Sequence, residues 1–189
     1  MGWGFLSLGL VGVKSMGQIG GMIADAASVG LRYAKRLLDG VPADRFGRTA
    51  SPGGIVVHSN NPAFTVGHLS LYPIKVVELL GQDTAAAATP AHYSALFSKD
   101  AQCQDDPSGT LYPPKQELVD VFQRTYDAAL TALRAADDAQ LLAPNPVESP
   151  LQKVCPTLGS MLAFYMTGHV MSHLGQVSTW RRMEGLPPV

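Results

Sequence analysis

The stretch at residues 168–187, GHVMSHLGQVSTWRRMEGLP, places two histidines four residues apart inside the most apolar part of the chain. A spacing of four puts His169 and His173 on one face of a helix, one turn and about 6 Å apart. The stripe continues through Leu162 and Tyr165 before the pair and through Gln176 and Trp180 after it, so the pair faces inward. Two adjacent imidazoles without partners are costly in a core, because each ring has one donor and one acceptor to satisfy. A shared divalent ion, bound at about 2.0–2.1 Å, resolves both needs at once. The competing reading is a pair of ordinary core histidines held by hydrogen bonds. The run at 158–177 carries no formal charge and nearly reaches the ~20 residues of a membrane span. Its His169, Ser172, His173 and Gln176 on neighbouring turns argue instead for a buried helix of a protein that does not enter a membrane.

Working outward, three further helical stretches are expected. The first covers about residues 22–38 and stops at Gly40 and Pro42, with Met22, Ala26, Val29, Tyr33 and Leu37 as its inward stripe. The second opens at SNNPAF, where Asn61 can cap the helix and Pro62 suits its first turn, and runs to about Leu80 with a break at Pro73. The third covers about residues 115–136, and the fourth begins near Cys155 to Thr157, with Pro156 in its first turn, and ends before GLPP. Between the second and third lies a long connection, residues 81–114, with a short helix near 91–97; a connection of that length covers a site more often than it merely joins helices. No alternating strand pattern is present, so the expected fold is all-α, a four-helix bundle. Residues 1–21 read as an N-terminal extension or arm, and residues 22–189 as one domain.

A third ligand must come from another helix, and His68 in NPAFTVGHLSLYP is the candidate, in phase with Phe64, Leu71 and Tyr72. His58 and His92 fall in connections and read as exposed. Tyr72, Tyr165 and Trp180 are either pocket walls or plain core. Arg181 and Arg182 either anchor an anionic group or complement the C-terminal dipole of their helix. HVMSH lacks the glutamate of a zinc-peptidase helix, no Glu-x-x-His pair suits a di-iron site, and GQIGG at 17–21 lacks the lysine of a phosphate loop.

Four helices with VGHL in the second, and with HVMSHLGQV followed by RRMEGLP in the fourth, resemble the DinB-like (DinB/YfiT-type) superfamily over residues 22–187. The resemblance implies a facial triad of metal ligands at His68, His169 and His173, with Gln176 behind them. It also implies one divalent metal, zinc or nickel first, with iron, copper or manganese as alternatives. Superfamily members include thiol-dependent transferases and isomerases and proposed hydrolases. The implied function is a thiol-dependent S-transferase-like enzyme using a low-molecular-weight thiol; the alternatives are a metal-dependent hydrolase and a non-catalytic, metal-stabilised binding protein.

Composition bounds the partners. A formal net charge of -1, with charged residues at 15 %, leaves no basic surface for a nucleic acid. A small-molecule substrate is expected instead. Low charge and the apolar MGWGFLSLGLVGV at the start suggest a homodimer. No positive charge precedes that apolar run, which argues against an export signal. Two cysteines, Cys103 and Cys155, form no disulfide framework, so the expected setting is cytoplasmic.

Overall fold

The computed structural model describes residues 17–189, and the arm-like and export-signal readings of the first 16 residues lie outside them. Helix α1 (Gln18–Asp39) begins four residues before the expected start, so GQIGG is its first turn and not a loop. Its cap comes from far along the chain: Gln18 and Ile19 donate their backbone N–H groups to the Asp138 carboxylate at 3.1 and 2.9 Å. A carboxylate at that end satisfies two orphan donors and complements the helix dipole.

The expected inward stripe of α1 holds at Leu37 and in part at half-buried Tyr33, and is corrected at Met22, Ala26 and Val29. Met22 and Val29 are 62 % and 60 % exposed, and Ala26 is exposed too, while Ile23, Ala24, Ala27, Leu31, Ala34, Leu37 and Leu38 are buried. Small residues decide the phase: a Cβ on Gly20 would lie 2.0 Å from the Leu133 carbonyl oxygen, so the backbones approach too closely for large side chains. Ranking faces by bulky apolar residues therefore picks the wrong one.

Helix α2 (Pro62–Ser70) is buried along its whole length. Asn61 caps it, accepting from the Phe64 N–H at 2.9 Å, while its own amide donates to the carbonyls of Gly47 and Gln104. The chain breaks at Pro73 as expected, and α3 (Pro73–Leu79) follows, ending at Gly81 in the left-handed region, φ +68. Within the long connection α4 (Tyr93–Phe97) forms. Helix α5 (Lys115–Arg134) comes next, then a short α6 (Asp138–Leu142) that the sequence reading did not anticipate.

The last helical stretch has three parts. Helix α7 (Leu158–Ala163) starts with a reciprocal capping box between Thr157 and Ser160, so Pro156 stands just outside the helix instead of in its first turn. A π-helical turn, Phe164–Gly168, then leads directly into α8 (His169–Met183).

These elements make an all-helical structure around one buried cluster. Helix α1 packs on α5, α7 and α8; α2 packs on α5 and α8; α3 packs on α5. Among the described residues no helix is long and apolar enough to cross a membrane.

Candidate metal centre

His68 comes from α2, and His169 and His173 from successive turns of α8, the helix packed against it. One ligand atom from each lies within 4.8 Å of the others, and the ring centroids are 5.4, 4.8 and 4.7 Å apart. The π turn ends at the residue before His169. Such a turn holds one residue more than an α turn, which resets the register of everything after it, and π turns are frequent at functional sites.

Two of the three rings are held by outer partners. His68 Nδ1 lies 2.8 Å from the Phe97 carbonyl oxygen, which can only accept, so Nδ1 carries the proton and Nε2 keeps its lone pair. His173 Nδ1 lies 3.1 Å from Gln176 Oε1, which also accepts from the Asn60 side-chain amide at 3.0 Å. That oxygen fixes the same tautomer on His173. His169 Nδ1 is buried and has no hydrogen-bond partner among the described residues. Two imidazoles with lone pairs set free and a third without a partner among the described residues are a donor set that fits a divalent ion.

Electrostatics agree with neutral ligands. Burial pushes the pKa of all three histidines down, and for His169, where His173, His68 and Lys75 add repulsion, it falls to about 3. For His68 the Phe97 carbonyl opposes the shift without reversing it. An unfolded histidine titrates near 6.5, so between about pH 6.5 and 3 the unfolded chain binds a proton that folded His169 refuses, and His68 and His173 act in the same direction. The stability gained from these groups is complete above about pH 6.5 and declines as pH falls. Metal-free protein is expected to lose up to about 1.4 kcal/mol per pH unit through His169, with His68 and His173 adding to the loss. Thermal melts in the presence of chelator at pH 7.5, 6.0 and 5.0 measure it; a flat profile would show that the rings are not held neutral.

Tyr72 closes one side, its ring centroid 4.2 Å from that of His169 and 5.2 Å from that of His68, and Tyr165 packs against Tyr72 at 5.4 Å. Tyr72 lines the cleft beside the cluster, whereas Tyr165 is buried behind it and is not part of that lining. Trp180 and Arg181 stand away from the cleft. Trp180 is fully buried and donates its indole N–H to the Arg48 carbonyl at 2.8 Å. Arg181 is 3 % exposed and donates to the carbonyls of Leu37 and Pro187. The first of these lies in the last turn of α1, so the arginine serves a neighbouring helix end, as Lys115 does for Leu38 and Val41. His58 and His92 are exposed and outside the cluster.

Sequence reasoning missed Asn60 and the Phe97 carbonyl. The only local sign of the first was a second asparagine before Pro62; a backbone carbonyl leaves none. Gln176 is expected to matter through His173 alone. Gln176→Leu should weaken zinc binding about 10- to 100-fold with little loss of fold stability, read by competition with a chromophoric chelator. Unchanged affinity would make the contact incidental.

Among the described residues, a helical fold brings three imidazoles from two packed helices together with no carboxylate in the cluster, which defines a helical protein with a histidine cluster. The sequence profile of the DinB superfamily matches residues 29–177, which include all three histidines and Gln176, and the chain belongs to that superfamily. Among curated proteins none matches this sequence.

Proposed function

We propose that the chain is a metal-dependent enzyme that holds one divalent ion, zinc or nickel first, through His68, His169 and His173, and carries out thiol-dependent S-transfer. The observation that carries this reading is the composition of the cluster: three neutral imidazoles, of which His68 lines a cleft, with no fourth protein ligand among the described residues. A structural zinc site is closed by four protein ligands, whereas a catalytic one keeps a position for a reactant. An ion with only neutral ligands keeps its full charge, which lowers the pKa of a thiol or water that joins it.

The chain's own residues do the remaining work. The Phe97 carbonyl and Gln176 hold two ligand rings in one tautomer, while Tyr72 and Tyr165 shield the cluster on one flank. Asn60 steadies Gln176. A metal-assisted hydrolase would use the same open position with water in place of thiol, and only a reaction assay separates the two.

The test incubates zinc- and nickel-loaded protein with glutathione and other small thiols plus a chromogenic electrophile, and separately with ester and amide substrates. Thiol-dependent turnover that disappears on chelation supports the proposal. Turnover of esters or amides without thiol moves the assignment to hydrolysis. Metal binding with neither activity would favour a binding protein stabilised by its ion.

A further inference from the structure

A cleft of about 350 Å³ opens beside the histidine cluster, lined by His68, Leu71, Tyr72, Lys75, Ser94, Ser98, Lys99 and Asp100. It lies where α2 and the start of α3 face α4 and the residues after it. Its floor therefore includes a candidate metal ligand, and its rim includes two lysines from opposite walls. Lys75 sits one turn beyond Tyr72 with its ammonium 4.9 Å from the Tyr72 ring centroid, and that ring in turn lies 4.2 Å from the His169 ring. An aromatic face holds the ammonium at the mouth without neutralising it. The ion pairs among the described residues involve neither Lys75 nor Lys99. Asp100 shares the wall, so the rim keeps two positive charges against one negative.

Elsewhere in this molecule the buried or half-buried cations are committed to partners: Arg181 and Lys115 donate to carbonyl groups, and Arg45 and Arg48 pair with Glu184 and Asp105. Lys75 has no such task, and both lysines are exposed and line the cleft that His68 borders. The apolar part of the lining, Leu71 and the Tyr72 ring, suits the body of a small organic molecule, and the hydroxyls of Ser94 and Ser98 offer donors to its head group.

We infer that this cleft is the substrate subsite and that it selects a small organic anion, carrying a carboxylate, sulfonate or phosphate monoester, through Lys75 and Lys99. This rests on the reading of the cluster as a reaction centre, and it replaces Arg181 as the source of positive charge for such a group. The anion would be anchored at the rim with its reacting portion directed to the histidines. Charge at the rim also draws anions toward the mouth, an effect that weakens with ionic strength.

The test uses four probes of one shape, benzoate, phenyl phosphate, benzyl alcohol and benzylammonium, followed by ligand-observed NMR on chelator-treated and on zinc-supplemented full chain. Proteins compared are the wild type, Lys75→Gln, Lys99→Gln, the double variant, Lys75→Arg and, as a control on α1, Lys35→Gln. The two anionic probes are expected to bind and the neutral and cationic ones not. Each glutamine substitution should weaken anion binding about fivefold, as befits a partly exposed charge-assisted contact. The double variant should abolish it, while Lys75→Arg and Lys35→Gln keep it. The side chains are exposed, so unchanged thermal melts will show that the fold is intact. Equal binding of benzyl alcohol, anion binding indifferent to both lysines, or no anion binding in either metal state overturns the inference. Zinc retention, measured on the same samples, reports separately on the metal reading: anion binding that needs the lysines in metal-free protein stands even if no metal is retained.

Discussion

Replacing His169 and His173 together by alanine is expected to reduce bound divalent metal from about one ion per chain to background, measured by elemental analysis of untagged protein. Both residues lie on α8, so the double change leaves His68 alone, and a single imidazole on α2 does not hold an ion against water. A second readout separates loss of ligands from loss of fold. A ligand at a thousand times its dissociation constant stabilises the native state by about 4 kcal/mol, which for a chain of this size is roughly 8–16 °C in Tm. Chelator should lower the melting temperature of the wild type by that order and leave the variant unmoved. The metal-free variant should melt close to the metal-free wild type, since the lost packing is offset by removing two half-buried imidazoles, one with a buried, unpartnered Nδ1. If the wild type takes up no zinc, nickel or manganese when these are offered, the three rings are a polar network in the core and the enzyme reading falls with them.

The parts of the fold that were legible in the sequence are those set by local rules. Pro62 after Asn61, the break at Pro73 and the stop at Gly81 each follow from what one residue does to its own backbone, and each is found where expected. The histidine pair was legible because periodicity is local too. His68 was reached by helical phase and by resemblance, and only the packing of α2 on α8 brings it within 4.8 Å of the pair.

What failed depends on contacts between distant segments. The inward face of α1 is set by how closely α5 approaches Gly20, and nothing near Gly20 in sequence records the Leu133 carbonyl. Arg181 reads as a spare cation until its neighbours are seen to be the open carbonyls at the end of α1 and near the chain's end. The π turn before His169 is a change of register with no residue signature in FYMTG. The long connection was expected to cover a site, and it contributes the Phe97 carbonyl behind His68 together with Ser94, Ser98 and Lys99 on one wall of the cleft. A loop can thus be assigned to a site by its length alone, while the atoms it supplies are fixed only by the fold.

Gly67→Ala is expected to damage both stability and metal binding, although alanine is the better helix former by about 1 kcal/mol. Gly67 lies in α2 immediately before His68, and a Cβ there would come within 2.5–2.6 Å of three atoms of the Phe97 ring. That ring is fully buried and packed edge-on against Phe64 and Tyr93 and flat against Tyr112, with centroids 6.2, 5.1 and 5.7 Å away, so it has nowhere to retreat. Overpacking of a filled core costs about 1–3 kcal/mol, and more where the neighbour is rigid. Set against the helix gain, a net loss of about 2 kcal/mol should appear as roughly a 4–8 °C drop in Tm. The strain is relieved only by moving α4, and α4 carries the carbonyl that orients His68. Zinc affinity should therefore fall about tenfold at temperatures where the variant is still folded. Gly175→Ala is the matched control. It lies on α8 between His173 and Gln176, a Cβ there would meet nothing within 4 Å, and it should raise stability by up to about 1 kcal/mol. Opposite shifts in Tm from the same substitution at two helix positions would place the constraint on the Phe97 contact. Equal shifts, or a Gly67→Ala protein that keeps full zinc affinity, would mean that α4 yields freely and that the carbonyl behind His68 does not govern the site.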